Sequence, residues 1–342
     1  MTGRDLVSVA FLDVGQGDSV VVILPDRRSA ILVDSPPGPT TVDFLVGHEI
    51  EYLPLVVLSH MHWDHIGSIL DVTAAFPKQI GLLALNFDYV PPAGEQQRRQ
   101  FKAALRDLAA QMRRGLHGSP ALCPWEGQYQ GLRASMLHPS HADVGGAIAD
   151  GYPNNASVVL RLGVHGHYVL LPGDLQSGGW QSMRERGPDL FAEVLKFPHH
   201  GGAYADGNGE VPQGAGLSDM LAAVSPEVVV ISVGTNNTHG HPLPDSIHCI
   251  SSANHDTRVL CTQATLRCTP SPSGVRDAVM DVLPDTCCRG ASAQSTRACP
   301  CAGTVIVELS EAGVVVIPSP EEHMKARSLF GSPMCARVVH LG

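Results

Sequence analysis

Residues 58–67, LSHMHWDHIG, place three histidines and one aspartate within six positions, directly after an apolar run. In an extended segment, residues two apart face the same side, so His60, His62 and Asp64 point in one direction. We expect His65 to turn back towards them as a helix begins. An open tetrahedral site takes three protein ligands, so four converging side chains predict a two-metal site with further ligands downstream.

Four further ligand-type side chains follow apolar runs later in the chain, where strands are expected to end. They are His138 after ASML, Asp174 at the end of YVLLPGD, and His199 and His200 at the end of EVLKFPHH. Ligand-type residues at several strand ends converge on one rim of a sheet, which is how a rigid scaffold carries a site. The whole set therefore favours a metal site over unrelated core histidines.

The rest of the chain predicts a mixed α/β fold with two sheets. Apolar runs of strand length, such as LVSVAF, SAILV and PEVVVISV, are separated by turns and helical segments. A chain of 342 residues with 44% hydrophobic and 16% charged residues can bury a sizeable core. We expect one domain over residues 1–342, with a Cys-rich loop insertion at about 261–301.

Residues 94–114 form the clearest predicted helix, because apolar side chains recur there at helical spacing. Phe101, Leu105, Leu108 and Met112 make the apolar face, and arginines and a lysine take much of the remaining surface. The basic face is either a solvated outer surface or a ridge that contacts phosphates beside a substrate groove.

Charge and hydropathy limit the partners. The formal net charge of −10 opposes binding of a polyanion along the whole surface, but it is compatible with a local basic strip. The apolar runs are far shorter than a membrane span. The first residues lack a basic stretch followed by an apolar stretch and a cleavage site. We therefore expect no signal peptide, no membrane association and a cytoplasmic location.

The motif HxHxDH, here His60, His62, Asp64 and His65, resembles the signature of the metallo-β-lactamase superfamily. Within that superfamily, the chain resembles the soluble hydrolase domain of the ComEC family of bacterial DNA-uptake proteins. The blocks that carry this resemblance occur in the same order within residues 6–262: FLDVGQGDS, ILVDSP, LSHMHWDHIGS, NNASVVLRL, LLPGD, VLKFPHHGG and ISVGTNNTHGHP. The resemblance implies an αββα sandwich with one or two metals at the edge of its sheets.

The resemblance also implies the ligands of a first ion. His60 and His62 would hold it together with a third histidine, for which His138 is the choice by order in the chain. Alternatively, the third position lies in NNAS, where Asn154 or Asn155 would replace the histidine.

In the same scheme Asp64, His65 and His199 would hold a second ion. Asp174 would bridge the two ions. Histidine and carboxylate ligands suit zinc, manganese or iron, and we expect two ions of zinc or manganese. A hydroxide bridging two such ions is a nucleophile at neutral pH, which predicts hydrolysis.

Three side chains and one turn are candidates to assist this chemistry. Asp64 would orient the hydroxide, and Asp34 would fix a ligand imidazole. His241, in THGHP, would bind a phosphate oxygen or protonate the leaving group; alternatively it is a turn histidine bonded to the backbone. The turn DVGQGDS either offers backbone N–H groups to the site or forms a tight hairpin that places Asp18 near the metals.

These features support two functions. The first is a metal-dependent phosphodiesterase or nuclease, with DNA or another phosphodiester as its substrate. The second is hydrolysis of a small ester, lactone, thioester or phosphoester by the same site, which the acidic net charge fits better. The complete ligand set argues against a third reading, a non-catalytic binding protein.

The cysteines are unevenly placed, and six of the nine lie within the predicted insertion. These six are Cys261, Cys268, Cys287, Cys288, Cys299 and Cys301. Together they are candidates for a structural zinc site; the alternatives are free thiols and disulfides. Their spacing lacks the paired two-residue gaps of a zinc ribbon. Cys123, Cys249 and Cys335 are expected to be packing residues.

Overall fold

The structure, a computed structural model, describes residues 5–86, 95–206, 209 and 211–336. Its strands are β1 (Val7–Phe11), β2 (Val20–Ile23), β3 (Ser29–Val33), β4 (Tyr52–Val57), β5 (Leu83–Ala84), β6 (Gly118–Ser119), β7 (Trp125–Tyr129), β8 (Leu132–His138), β9 (Val159–Val164), β10 (His167–Leu171), β11 (Val194–Lys196), β12 (Val228–Ile231), β13 (Arg258–Cys261), β14 (Val305–Ser310) and β15 (Gly313–Ile317). Its helices are α1 (Thr40–Gly47), α2 (Trp63–Ile66), α3 (Ile69–Ala75), α4 (Glu95–Arg113), α5 (His141–Asp150), α6 (Ser177–Glu185), α7 (Leu217–Val224), α8 (Pro244–Ala253), α9 (Pro272–Met280), α10 (Ala291–Gln294) and α11 (Pro320–Ser328). Short 3₁₀ turns lie at Pro153–Ala156, Pro198–Gly201 and Met334–Ala336.

Two sheets form the centre of the fold. The first has the strand order β15-β14-β1-β2-β3-β4-β5-β6, and the second has the order β13-β12-β11-β10-β9-β8-β7. Strands β3 to β6 run parallel, as do β10 to β13, and the other neighbours are antiparallel. The functional side chains follow the carboxyl ends of parallel strands, because loops leaving those ends gather at one edge.

Successive side chains along each strand face opposite sides of the sheet, and this alternation produces the layers of the sandwich. Val7, Val9 and Phe11 of β1 pack in a core shared by both sheets, whereas Ala10 packs in the core beneath α1, α3 and α4. A third core joins the outer face of the second sheet to helices α6 to α9. The predicted αββα sandwich is confirmed.

The predicted helix at 94–114 is α4. Phe101 and Leu108 are fully buried against the first sheet, and Leu105 and Met112 pack beside them. The apolar face therefore docks the helix, as its spacing predicts. Contact of the basic face with phosphate stays a prediction.

The Cys-rich segment is less loop-like than expected, since it contains α9 and α10. A buried carboxylate, Asp13, anchors it to the end of β1: Gln263 Nε2 donates to Asp13 at 2.6 Å, and the N–H of Ser292 donates at 3.1 Å. Burial raises the pKa of Asp13, and these hydrogen bonds partly offset that rise. The assignment of 1–342 to one domain stays a prediction.

Within the part of the chain that the structure describes, no helix combines the length and the apolar character needed to cross a bilayer.

Candidate metal centre

The predicted ligands of residues 60–65 converge where β4 gives way to α2. His62 has an extended backbone (φ −79°, ψ 150°) immediately before α2, so the chain alternates up to this point and then turns. The His60 ring centroid lies 4.5 Å from that of His62 and 4.2 Å from that of His65. The convergence expected from the sequence is therefore present.

Asp174, in the loop after β10, is shared by two groups of ligand-type atoms. One group is His60, His62 and Asp174, and the other is Asp18, His65, Asp174 and His200; atoms within each group lie within 4.8 Å of one another. Asp174 Oδ2 lies 3.8 Å from His60 Nε2. Asp174 Oδ1 lies 3.4 Å from His65 Nε2 and 3.7 Å from His200 Nε2. One carboxylate oxygen thus faces each group, which suits a bridging ligand.

Hydrogen bonds orient two of these imidazoles. His65 Nδ1 donates to Asp34 Oδ2 at 2.8 Å, and His200 Nδ1 donates to the main-chain oxygen of Ser232 at 2.9 Å. Each ring therefore turns its Nε2 towards Asp174. Metal-binding histidines are commonly held in this way by their second nitrogen.

Asp34 has the position that was predicted for it, behind a candidate ligand. Its carboxylate also accepts from the N–H and from Oγ of Ser59, both at 2.7 Å. Burial raises the pKa of Asp34, and the neighbouring His65 counteracts the rise. These three donors fix the carboxylate, so the carboxylate in turn fixes the His65 ring.

The turn DVGQGDS approaches the same cluster closely. Gly17 has φ +125°, and a Cβ atom there would lie 2.4 Å from the main-chain oxygen of Asp64. That approach lets the N–H of Asp18 donate to the same oxygen at 3.2 Å. Of the two alternatives for this turn, the structure shows the one that brings Asp18 to the site.

Asp18 lies behind the imidazoles and forms an ion pair with the buried Lys196. Its carboxylate faces the Nδ1 atoms of His200, at 3.4 Å, and His65, at 3.9 Å. Lys196 Nζ also lies 3.9 Å from Asp174 Oδ1. Sequence reasoning missed Lys196, although its place at the end of β11, three residues before the paired histidines, was a usable signal.

Neighbouring charges shift the pKa values of the clustered side chains in different directions. Burial, together with the nearby His65 and His62, holds the pKa of His60 well below its usual range. Burial also disfavours the charged form of His65, but Asp174 and Asp34 raise its pKa well above the usual range. Although burial opposes ionisation of Asp174, His65 and His200 hold its pKa well below the usual range. The cluster thus combines an ionised carboxylate with neutral imidazole at His60.

Unpaired polar atoms concentrate at this place. Among the described residues, buried side-chain atoms without a hydrogen-bond partner include Asp18 Oδ1, His60 Nε2, His65 Nε2, Asn154 Oδ1, Asp174 Oδ1, His200 Nε2 and His241 Nδ1. An unsatisfied buried polar atom costs about 1–3 kcal/mol, so such a concentration is unfavourable unless a ligand completes it. Imidazole nitrogens and carboxylate oxygens are donors for divalent zinc, manganese or iron, and the residues present therefore fit such ions.

His138 was assigned to the first ion, but the structure places both of its ring nitrogens in other contacts. His138 Nε2 donates to the main-chain oxygen of Asn155 at 2.7 Å, and Nδ1 accepts from Arg186 Nη2 at 2.9 Å. Both ring nitrogens are therefore engaged away from the two ligand groups. Burial lowers the pKa of His138 to about 4, which agrees with a neutral ring that accepts from a guanidinium.

His199 was assigned to the second ion, but the structure places its neighbour His200 in the group with Asp174. His199 Nδ1 donates to the main-chain oxygen of Ala203 at 3.0 Å, and Nε2 lies 3.5 Å from Asn154 Nδ2. His200 Nε2 lies 3.6 Å from Asp64 Oδ2, so Asp64 and His200 belong together. Both histidines have positive φ, a backbone reversal that periodicity does not reveal.

His241 lies beside the paired histidines. Its ring centroid is 5.5 Å from that of His199 and 6.4 Å from that of His200. Burial and these neighbouring histidines lower the pKa of His241 to about 4, so the ring is neutral near pH 7. Its main-chain N–H and oxygen, not its ring, bind Asn237, which leaves the ring available to a ligand.

Zinc binding by the six cysteines of residues 261–301 stays a prediction. Cys288 Sγ and Cys299 Sγ point to the main-chain oxygens of Met280 and Pro300, at 3.7 and 3.5 Å. Cys301 instead lies beside His323 and Cys335. Neither of those two partners was among the six.

The sequence profile of the Metallo-beta-lactamase superfamily matches residues 12–204. The chain belongs to this superfamily. The matched range holds the HxHxDH motif, Asp174 and His200, which are the elements that build the cluster. The fold, the family and the buried His/Asp cluster together make the chain a metal-dependent hydrolase of the metallo-beta-lactamase type.

Two curated bacterial proteins match more than two thirds of this chain. The chain is 26% identical over 275 residues to ComE operon protein 3 of Bacillus subtilis (strain 168), covering 74% of this chain and 31% of that protein. It is 29% identical over 238 residues to competence protein ComA of Neisseria gonorrhoeae, covering 69% of this chain and 28% of that protein. The chain thus spans under a third of the length of either relative.

Among solved structures, the metallo-beta-lactamase fold protein YhfI of Bacillus subtilis matches 72% of this chain and 94% of its own chain. The sequence identity is 15% and the TM-score is 0.41.

Proposed function

We propose that this chain is a phosphodiesterase that cleaves DNA with the help of two divalent ions of zinc or manganese. The observation that carries the proposal is the position of Asp174, whose two carboxylate oxygens face two separate histidine groups. A pair of divalent ions, when bound, supplies a nucleophile at neutral pH and clamps the attacking and leaving oxygens of a displacement at phosphorus.

The chain's own residues would hold and orient these ions. His60, His62 and Asp174 would hold one of them. Asp64, His65 and His200 would hold the other, again with Asp174. Asp34 prevents rotation of the His65 ring through its 2.8 Å hydrogen bond. Lys196 Nζ forms an ion pair with Asp18 and lies 3.9 Å from Asp174 Oδ1, so it places a positive charge beside both buried carboxylates.

His241 would contact the substrate. A neutral imidazole donates one hydrogen bond, so this side chain suits a phosphate oxygen better than the role of general acid at pH 7. Gly202 allows the ring to approach, since a Cβ atom on Gly202 would lie 2.5 Å from His241 Cε1.

DNA as the substrate is supported by the relatives, whose names place them in competence. It is also supported by the ordered sequence blocks shared with the ComEC family. The shared segment is under a third of each relative, so transport through a membrane channel is not part of this proposal.

A small phosphoester or carboxylic ester is the second candidate. A cleft of about 540 Å³ lies beside Asn155, and its lining includes the carboxylates of Asp143, Asp150 and Asp206. The described lining of this cleft holds no member of the two ligand groups, so the support for a small substrate is the net charge of −10, which repels a polyanion more strongly.

An assay with several substrates distinguishes the nuclease from the hydrolase of a small ester. Metal-loaded protein would be incubated with single-stranded DNA, duplex DNA, bis-p-nitrophenyl phosphate and a p-nitrophenyl ester. The nuclease proposal predicts cleavage of DNA and of the small diester, both lost in Asp174→Asn. Cleavage of the small substrates alone would contradict it.

A further inference from the structure

A second ligand cluster lies outside the hydrolase site and is built from sulfur. Cys301 Sγ lies 3.5 Å from His323 Nε2 and 3.9 Å from Cys335 Sγ. The three side chains are buried, with exposures of 0%, 2% and 4%. They come from three separate segments: the end of the Cys-rich segment, helix α11 and the 3₁₀ turn at Met334–Ala336.

These separations match the edges of a tetrahedral zinc site. Zn–S bonds of about 2.3 Å and Zn–N bonds of about 2.05 Å place ligand atoms about 3.8 Å (S to S) and about 3.6 Å (S to N) apart. The observed 3.9 and 3.5 Å fall close to both values. A disulfide would require the sulfurs of Cys301 and Cys335 to be about 2.05 Å apart, and it would give the imidazole no role.

A neighbouring cysteine, Cys261, is not part of this group of three ligand-type side chains. It ends β13, and its main-chain oxygen accepts from the N–H of Ala302 at 2.9 Å, which aligns it beside Cys301. Cys268 Sγ instead lies 3.8 Å from the hydroxyl of Thr265.

The chemistry of the donors selects the ion. Thiolate and imidazole are ligands for zinc, whereas magnesium, calcium and manganese prefer oxygen. Buried thiols resist ionisation without a counter-charge, but a bound divalent cation deprotonates coordinating thiols outright.

Helix α11 is positioned to present its histidine. Ser319 caps the helix: its N–H donates to Glu322 Oε2 at 2.7 Å, and its Oγ accepts from the N–H of Glu322 at 3.3 Å. His323 follows directly, in the first turn. Ala326 and Phe330 then pack in the outer core of the second sheet, so the helix is held on both sides of its ligand.

We infer that Cys301, His323 and Cys335 bind one structural zinc ion that fastens α11 and the Met334–Ala336 turn to the end of the Cys-rich segment. This site is independent of the proposed hydrolase activity, since none of its ligands belongs to the His/Asp cluster. Two of its ligands, His323 and Cys335, lie outside the Cys-rich segment.

The decisive measurement needs no variant and no activity. Full-length protein purified without chelator would be loaded with zinc and studied by X-ray absorption at the zinc edge, and a cobalt-loaded sample by ultraviolet absorption. Sulfur scattering near 2.3 Å and a cobalt–thiolate charge-transfer band are expected, since the hydrolase site has no sulfur ligand. Absence of both, or a Cys301–Cys335 disulfide in peptide mass spectra, would overturn the inference.

Variants assign the ligands. Treatment with a mercurial reagent that releases thiolate-bound metal should free one zinc per chain from wild-type protein. Cys335→Ser and His323→Ala should reduce that release at least fivefold. Cys249→Ser, a partly buried cysteine outside the cluster, is the matched control and should leave release unchanged. Unchanged release in Cys335→Ser and His323→Ala would contradict the ligand set; if either variant fails to fold, the wild-type spectra decide.

Discussion

Two clusters of histidine and aspartate in this molecule differ in whether the histidine ring nitrogens already have hydrogen-bond partners. In the cluster around Asp174, the Nε2 atoms of His60, His65 and His200 are buried without hydrogen-bond partners. In the cluster around Arg186, both nitrogens of His138 are engaged, by Asn155 and by the guanidinium. The first cluster has capacity for a cation, and the second is complete as an ordinary hydrogen-bonded network.

The difference shows that residue type alone does not identify a metal ligand. His138 is the last residue of β8 and His60 lies just after β4, and both side chains are fully buried. What separates the two is whether a protein donor or acceptor already occupies the ring nitrogen that would bind metal. The adjacent pair His199 and His200 gives the same result within two residues.

The largest expected effect comes from the shared carboxylate. Asp174→Asn removes the negative charge between the two histidine groups, so kcat/KM should fall by about 10³-fold or more. Steady-state hydrolysis of bis-p-nitrophenyl phosphate and metal content by mass spectrometry would measure this. Asp189→Asn, which breaks an exposed pair with Arg161, is the control and should change kcat/KM by less than about threefold. If Asp174→Asn kept the kcat/KM of Asp189→Asn, this result would contradict the two-metal arrangement.

The adjacent histidines provide a matched pair. His200→Ala should weaken metal binding by at least about 10²-fold, because Nε2 faces both Asp64 and Asp174. His199→Ala should weaken it by less than about tenfold, because Nε2 of that ring faces Asn154 Nδ2 at 3.5 Å and lies outside both ligand groups. Competition with a chromogenic chelator measures both. The reverse order would restore the assignment made from the sequence.

The carboxylate behind His65 gives the next effect. Asp34→Asn lets the imidazole rotate, and metal affinity should fall by about 10–100-fold. Asp13→Asn alters another buried carboxylate that bonds Gln263 and Ser292 instead of the cluster. That control should lower stability but change metal affinity by less than about threefold. A similar loss of affinity in both variants would mean that Asp34 has only a general structural role.

His138 should affect stability and pH dependence more than activity. Its folded pKa of about 4 lies below the unfolded value near 6.5, so below pH 6.5 the unfolded chain binds the extra proton first. Stability should therefore fall as the pH drops from about 6.5 to about 4, by about 3 kcal/mol from this residue.

His138→Gln removes that proton uptake. Urea unfolding at pH 7 and pH 5 should show a smaller pH-dependent loss in the variant than in wild-type protein. Activity of the variant at pH 7, measured below its unfolding temperature, should stay within about threefold of wild type. An identical pH dependence in both proteins, or loss of the bound metals, would contradict the structural role of His138.

Much of the fold was predictable from local pattern. Helix α4 follows from four apolar residues at helical spacing, and the layers follow from strand-length apolar runs. The convergence of residues 60–65 also follows, because alternation in a strand and the start of a helix are local properties.

The long-range members of the site were less accessible. Asp174 was identified because it follows a strand, but the same reasoning selected His138 and His199. Lys196 and Asp18 pair only because β11 and the turn after β1 meet across the sandwich. His323 and Cys335 are far from Cys301 in sequence and offered no motif.

The sequence by itself determined which side chains could bind a metal, the order along the chain of the apolar runs that precede them, and the family. Backbone alternation and ligand type are fixed by neighbouring residues, so they can be read directly from the chain. Only the tertiary structure decided which ring nitrogens remain free, because contacts such as Asn155 to His138 and Asn154 to His199 involve positions that meet only on folding. A side chain becomes a candidate ligand when the fold leaves its donor atom buried and unpaired.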